Sequence, residues 1–389
     1  MHDLFRQFRT FFVSLKLTVV LLALSLILIF AATIDQVHLG IWAVQEKYFR
    51  SFFVLANFGE IPVPVFPGGY FIGGLLLINL VASHIYRFTF AWRKTGILLT
   101  HLGLILLLVG ELLTGLWQEE FQMRLEEGQP KNFSESYRFN ELAIIDATDP
   151  QFDEVVAIPE KILARGGAVQ HPKLPFRVVT KTYYPNSVLQ MRTSVPNAAP
   201  SLATAGLGPQ LAVTPLPVTY KPDDRNFPTA FVELVAPEGS LGIWLVSPQF
   251  PMPQTLDYAG RKWKLSMRFQ RDYKPFALTL LKFSHDRYAG TEIPKNFSSR
   301  VRLTAPGGHD DREVLIYMNN PLRYANLTFY QASFEQGNDK VSILQVVRNP
   351  SWILPYVSCA LMTLGLLVQF GIHLVGFAGK GRAVRPVVA

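Results

Sequence analysis

The sequence predicts a membrane protein of four transmembrane α-helices, with a large β-rich extracytoplasmic domain between helices 3 and 4. Three observations carry this. First, Leu17 to Ile34 and Tyr70 to Tyr86 are uncharged, Gly96 to Trp117 is interrupted only by Glu111, and Asn349 to Gly379 holds no Asp, Glu, Lys or Arg. About 20 apolar residues suffice for a helix to cross a hydrocarbon core of about 30 Å. Second, positive charge gathers at alternate ends of these runs. Third, the long stretch between the third and fourth runs lacks helical periodicity and alternates in short segments instead.

In chain order, residues 1–117 form an N-terminal membrane region with spans at about 13–34, 70–86 and 96–117. Residues 118–350 form the exported domain, 351–378 the fourth span, and 379–389 a basic cytoplasmic tail. Arg6, Arg9 and Lys16 precede the first uncharged run, Arg87, Arg93 and Lys94 join the second to the third, and Lys380, Arg382 and Arg385 follow the last. By the positive-inside rule these three segments face the cytoplasm. The reading is therefore a multi-pass protein of the cell inner (plasma) membrane, with both termini inside and the large domain on the periplasmic or extracytoplasmic side. The formal charge of +8 follows from this topology and calls for no nucleic-acid partner. The basic start and Ala31-Ala32 also fit a cleaved signal peptide. The apolar run exceeds the 7–15 residues of a signal core, which favours a retained helix.

The exported domain is expected to be a sandwich or distorted barrel. From Lys262 to Gln270 the residues Trp263, Leu265, Met267 and Phe269 alternate with Lys264, Ser266 and Arg268, the pattern of a half-buried antiparallel strand. Shorter strands are expected at Phe176–Thr180, Thr229–Val235, Phe276–Phe283, Arg300–Thr304, Val314–Met318, Leu327–Phe334 and Val341–Val347. Pro237-Glu238-Gly239 and Pro306-Gly307-Gly308 mark turns. Residues 184–228, rich in Pro, Ala, Ser and Asn, read as a long loop or inserted flap. The only cysteine, Cys359, lies in the last span, so no intramolecular disulfide forms.

Three histidines, His84, His101 and His373, fall in or at the edge of spans two, three and four. On the predicted topology they share one depth in the inner leaflet. Ionisable residues inside a membrane are costly and mark function by default, and imidazole suits haem iron as an axial ligand. Each also has a structural reading. His84 precedes Tyr86 and Arg87 as an interfacial residue, His373 reaches the headgroups, and His101 is a buried imidazole bonded to a neighbouring helix. Gly96, Gly103 and Gly110 share one stripe of their helix, which permits close helix approach. If that stripe packs within the chain's own bundle, His101 points elsewhere, toward a partner subunit. Glu111 reads as an interface residue. No CxxCH, CxxC, P-loop or HExxH motif occurs. His309-Asp310-Asp311 reads as a solvated turn, and His285-Asp286 as a weak metal candidate.

Several long strings resemble the ResB-type (also called CcsB) component of system II cytochrome c biogenesis. They are DRYAGTEIPKNFSSRVRL (286–303), IYMNNPLRYANLTFYQASFE (316–335) and NPSWILPYVSCALMTLGLLV (349–368), with ATIDQ (32–36), PVFPGG (64–69) and GILLTHLGLILLLVGEL (96–112) upstream. The region 150–260 resembles the family by position only. The resemblance implies a membrane complex with a CcsA/ResC-type partner, which carries haem b outward as a transported substrate and attaches it to apocytochrome c. The six tryptophans are dispersed, so the chain resembles the ResB half and not a fused synthetase. It would then be a non-catalytic or co-catalytic subunit, with no catalytic residue of its own. The resemblance also implies that a transmembrane histidine of this half ligates haem iron axially together with one from the partner. His101 is the matching position, with His84 the second choice.

Basic residues at 87–94 and 380–385 would attract haem propionates. The exported domain would hold the apocytochrome or the partner's outer loops, with the asparagines and aromatics of 317–334 as a stacking surface. The plain alternative makes those aromatics core residues. Two other function classes stay open: a quinol-linked membrane cytochrome b-type electron-transfer subunit, and a structural anchor for an extracytoplasmic scaffold without haem.

Overall fold

The computed structural model describes residues 2–383 except 60, 90, 196–198, 220–224, 288–293, 309, 336, 337 and 339. Among them are six α-helices: α1 (His2–Phe12), α2 (Leu15–Val44), α3 (Gly69–Arg87), α4 (Thr95–Trp117), α5 (Glu160–Arg165) and α6 (Leu354–Ala383). Two compact units result, one from residues 2–119 and 349–383, the other from 120–219 and 225–348.

In the first unit α2, α3, α4 and α6 are each long and apolar enough to cross a membrane. α2 extends ten residues past the end at 34 that its apolar run predicts. It bends where Gly40 adopts φ 77°, and a π-helical turn, Gln45–Phe49, follows. A polar knot holds this extension, because Lys47 Nζ and Tyr48 OH each donate to Asp35 Oδ2 at 2.7 Å. The connection to α3 is an antiparallel hairpin, Phe53–Phe58 with Ile61–Pro67. The sequence reading gave no structure to this loop, since prolines at 62, 64 and 67 mask its strand pattern.

Upstream, α1 was not foreseen. Ser14 caps the start of α2, its Oγ accepting from Lys16 N–H at 3.2 Å. Asn79 of α3, 3% exposed, fastens the α1–α2 corner. Its Nδ2 donates to the carbonyls of Phe12 (2.7 Å) and Ser14 (3.2 Å), and its Oδ1 accepts from Thr18 Oγ1 at 2.6 Å.

α4 and α6 pack antiparallel along the glycine stripe. A methyl at Gly96 would lie 2.6 Å from Gln369 N and Gly365 O, one at Gly103 2.6 Å from Met362 Cγ, and one at Gly110 3.0 Å from Leu354 Cβ. Gly365 answers from α6, where a methyl would meet Thr100 N at 2.6 Å. Small residues on both helices thus let the backbones close.

The second unit is β-rich and antiparallel. Its ten-stranded sheet is organised by one strand, Arg261–Arg287, which pairs with Pro130–Asp146 on one side and Pro294–Thr304 on the other. The alternation predicted for 262–270 lies in its first part. Its register shifts between Tyr273 and Leu278, around Pro275. Before this shift Trp263, Leu265 and Met267 enter a first core, against Val178, Val232 and Trp244 of a four-stranded sheet and Phe176 just ahead of it. Beyond it Phe276, Leu278, Leu280 and Phe283 enter a second core with Leu303, Ile316, Phe329 and Leu344. The expected strands at 276–283, 300–304, 327–334 and 341–347 fall on strands of this half, and the one at 314–318 runs one residue past a strand that ends at Tyr317. The segment 184–228, read as a loop, contains a two-stranded sheet, Ser187–Met191 with Leu211–Pro215. Leu189, Leu211 and Val213 pack there on Phe231 and Leu245, so sparse apolar residues suffice where an existing sheet offers the other face.

Candidate functional site

Two of the three predicted membrane histidines meet. His84, one turn from the end of α3, and His101, in the second turn of α4, place their rings 4.9 Å apart and nearly perpendicular, at 82°. Both residues are half-buried. His84 Nδ1 lies 2.9 Å from the carbonyl oxygen of Leu80. A carbonyl only accepts, so in the neutral ring Nδ1 carries the proton and Nε2 holds the lone pair. That Nε2 is buried with no hydrogen-bond partner, and so is Nδ1 of His101. Phe88 stacks on His84 at 5.5 Å.

His101 therefore turns toward α3, while the glycine stripe beside it faces α6. Contrary to the expectation from the sequence, the packed stripe does not turn His101 toward a partner subunit, because α3 of the same chain occupies that side.

His373 stands apart. It is exposed on α6 and its Nε2 lies 2.9 Å from Gln369 Nε2. Gly96 is level with Gln369 and Gly103 with Met362. His101 is thus level with about residue 362, and His373 sits roughly 16 Å further along the axis at about 1.5 Å per residue. The antiparallel register separates what the span ends had put at one depth.

Haem as a substrate can be tested against these residues. A bare, buried imidazole nitrogen whose other nitrogen is fixed by a backbone carbonyl is how proteins orient metal-binding histidines. His84 meets that description. The two rings do not sandwich one iron between them, however. Metal–imidazole bonds of about 2 Å on opposite faces of a porphyrin need facing nitrogens, and these rings stand edge to face in contact. The pair presents a bare ring nitrogen from His84, with His101 against its flank. Arg87, Arg93 and Lys94, all exposed, surround the connection between α3 and α4.

The remaining candidates disperse. His171 Nδ1 accepts from Lys173 N–H at 3.3 Å in an exposed turn. His285 packs on Phe334 at 4.3 Å, with Phe283 and Phe297 nearby. His38 is exposed, as is Glu111, and His309 lies outside the described residues. Among the described residues no group of three or more His, Cys, Asp or Glu is placed to hold a metal ion. In the 317–334 segment Asn319 and Asn326 occupy left-handed turn positions, with φ near 62° and 61°. Phe329 is fully buried and Tyr324 packs on Phe276 at 4.9 Å, whereas Tyr317 and Tyr330 stay exposed. Sequence reasoning missed Asn79, although an amide inside the apolar run LLLINLV was a visible signal.

Comparison with known proteins places the second unit. Residues 257–343 match the model of the ResB-like family. They span the long central strand and most of the second core. Protein NrfI of Wolinella succinogenes is 37% identical over 93 residues, which is 24% of this chain and 10% of that relative's length. These two findings support a likeness to ResB-type proteins over part of the chain.

Proposed function

We propose that this chain is a subunit of a membrane complex for haem transport and cytochrome c–haem ligation, and that it holds haem in the membrane through His84. One observation carries the reading: His84 presents a buried, partnerless Nε2 while its Nδ1 is tied to Leu80, 2.9 Å away. His101 was the first choice on resemblance, and the geometry favours the second. When bound, haem supplies the iron and the vinyl groups that become thioethers. His84 would give the iron one axial nitrogen, and His101 would hold that ring at its angle. Arg87, Arg93 and Lys94 would attract the propionates, since unpaired carboxylates at the edge of a bilayer gain from nearby cations.

A second ligand for the iron would have to come from outside the pair, because the rings leave no room between them. A CcsA/ResC-type partner is the natural source, and apocytochrome c the acceptor. The exported domain would then face the extracytoplasmic side of the inner membrane. The ResB-like match over 257–343 supports this assignment to cytochrome c maturation.

The test is the reduced haem spectrum of the chain purified with such a partner, at equal protein. His84→Ala is expected to lose haem at least about tenfold, with external imidazole restoring it. His101→Ala should shift the band or lower occupancy by a few-fold, and His373→Ala should leave both unchanged. Full haem in His84→Ala would overturn the ligand assignment. Haem reduced by quinol in the chain alone would favour the electron-transfer class instead.

A further inference from the structure

The hairpin between α2 and α3 has an unusual surface. Among the described residues Phe53–Phe58 and Ile61–Pro67 pair only with each other, and a lone two-stranded hairpin is marginal in water. Val54 enters the helix core at 4% exposure, beside Val44, Tyr48 and Ile72. The rest is open: Phe52 is 64% exposed, Phe53 50%, Leu55 49%, Ile61 67% and Val65 50%. From Ser51 to Tyr86 the only charged residue is Glu60. An apolar patch of this kind marks an interaction surface.

The neighbours identify its occupant. Phe52 contacts the ring of Tyr70 at 6.0 Å and Phe53 that of Phe71 at 5.5 Å. Tyr70 and Phe71 form the first turn of α3, and Phe71 is itself 37% exposed. The apolar surface of the span therefore runs without a break onto the hairpin. Aromatic rings at the end of a span are characteristic of the membrane–water interface. Prolines at 62, 64 and 67 remove the N–H groups that an added strand from another protein would need. Backbone augmentation along that strand is thereby blocked, while contact through side chains is not.

We infer that this hairpin lies in the interfacial layer of the bilayer, at the leaflet where α3 begins, with lipid as the occupant of its open side. It is a lipid-contact element that lengthens the membrane footprint of α2 and α3. This stands independently of the histidine site.

The single cysteine makes the test direct. In a Cys359→Ser background, single cysteines replace Leu55, Val63 or Val65 and carry a nitroxide label. Leu374, 68% exposed on α6, serves as a lipid reference and Lys173 as a water reference. The full chain is placed in vesicles of phosphatidylethanolamine and phosphatidylglycerol, and collisions with oxygen and with a water-soluble nickel chelate are compared. The expected oxygen-to-nickel ratio at the hairpin sites is several-fold above that at Lys173 and approaches that at Leu374. A ratio equal to the water reference would overturn the proposal. So would nickel exclusion that arises only when a partner membrane protein is added, which would make the hairpin a protein interface.

Discussion

Glu160 begins α5 with its carboxyl buried against the sheet, where Asn140 donates to its Oε2 from both backbone N–H (3.1 Å) and Nδ2 (3.0 Å). Burial pushes its pKa up, and the two hydrogen bonds from Asn140 only partly oppose this. Burial raises the nearby Tyr183 hydroxyl in the same way, with the Glu160 charge adding to it. The folded chain thus holds the Glu160 proton more tightly than the unfolded chain does. Its contribution is complete below the ordinary glutamate pKa and is lost as pH rises through the raised one. Glu160→Gln is expected to remove that part of the pH dependence, so the midpoint of thermal unfolding should fall less as pH rises above the ordinary glutamate range. Unfolding scans of both proteins in detergent check this. An unchanged slope would show that another group sets it.

Helix pairing turns on four glycines at the scale of elements. Gly96, Gly103 and Gly110 on α4, with Gly365 on α6, leave no space for a methyl group at the closest approach. Gly74 on α3 and Gly376 on α6 face open space. Gly96→Ala and Gly365→Ala should each destabilise by about 1–3 kcal/mol through overpacking. Gly74→Ala and Gly376→Ala should be neutral or slightly stabilising, because they reduce the freedom of the unfolded chain. Midpoints of unfolding in one detergent separate the two classes. The stripe itself was legible, since a seven-residue repeat needs only the helix period. Its partner was not, because nothing in the α4 sequence says which helix will supply Gly365. The same gap explains His101: spacing located it on the helix, but its direction depends on which neighbours fill the other sides.

The β-rich unit, taken whole, has two cores threaded by one strand. Trp263, Leu265 and Met267 serve the first, and Phe276, Leu278 and Leu280 the second. Shared backbone couples them, so Leu265→Ala and Leu280→Ala should each cost about 2–5 kcal/mol. Both should also raise amide exchange in both cores. Hydrogen exchange read separately over 176–180 and 327–334 checks the coupling, and a response confined to one core would show two independent units. The sequence showed the strands at 262–270 and 276–283 but gave no sign that they are one element. Pro275 between them looks like a stop, and it is tolerated because the ladder has already shifted register there. The hairpin at 53–67 and the sheet at 187–215 were hidden for a related reason. Proline and sparse apolar content lower the strand signal, and the missing stabilisation comes from surfaces distant in sequence.

Asn79 adds a constraint in time. The corner it fastens lies at residues 12–18, yet the amide that satisfies those carbonyls comes 61 to 67 residues later in the chain. A ribosome adding about 5–20 residues per second makes the corner before the amide by roughly 3–13 s. Through that interval the bonds that Asn79 makes to Phe12, Ser14 and Thr18 cannot form. The N-terminal helix thus takes its final seat only once α3 has joined α2, and the order of insertion is written into a single side chain.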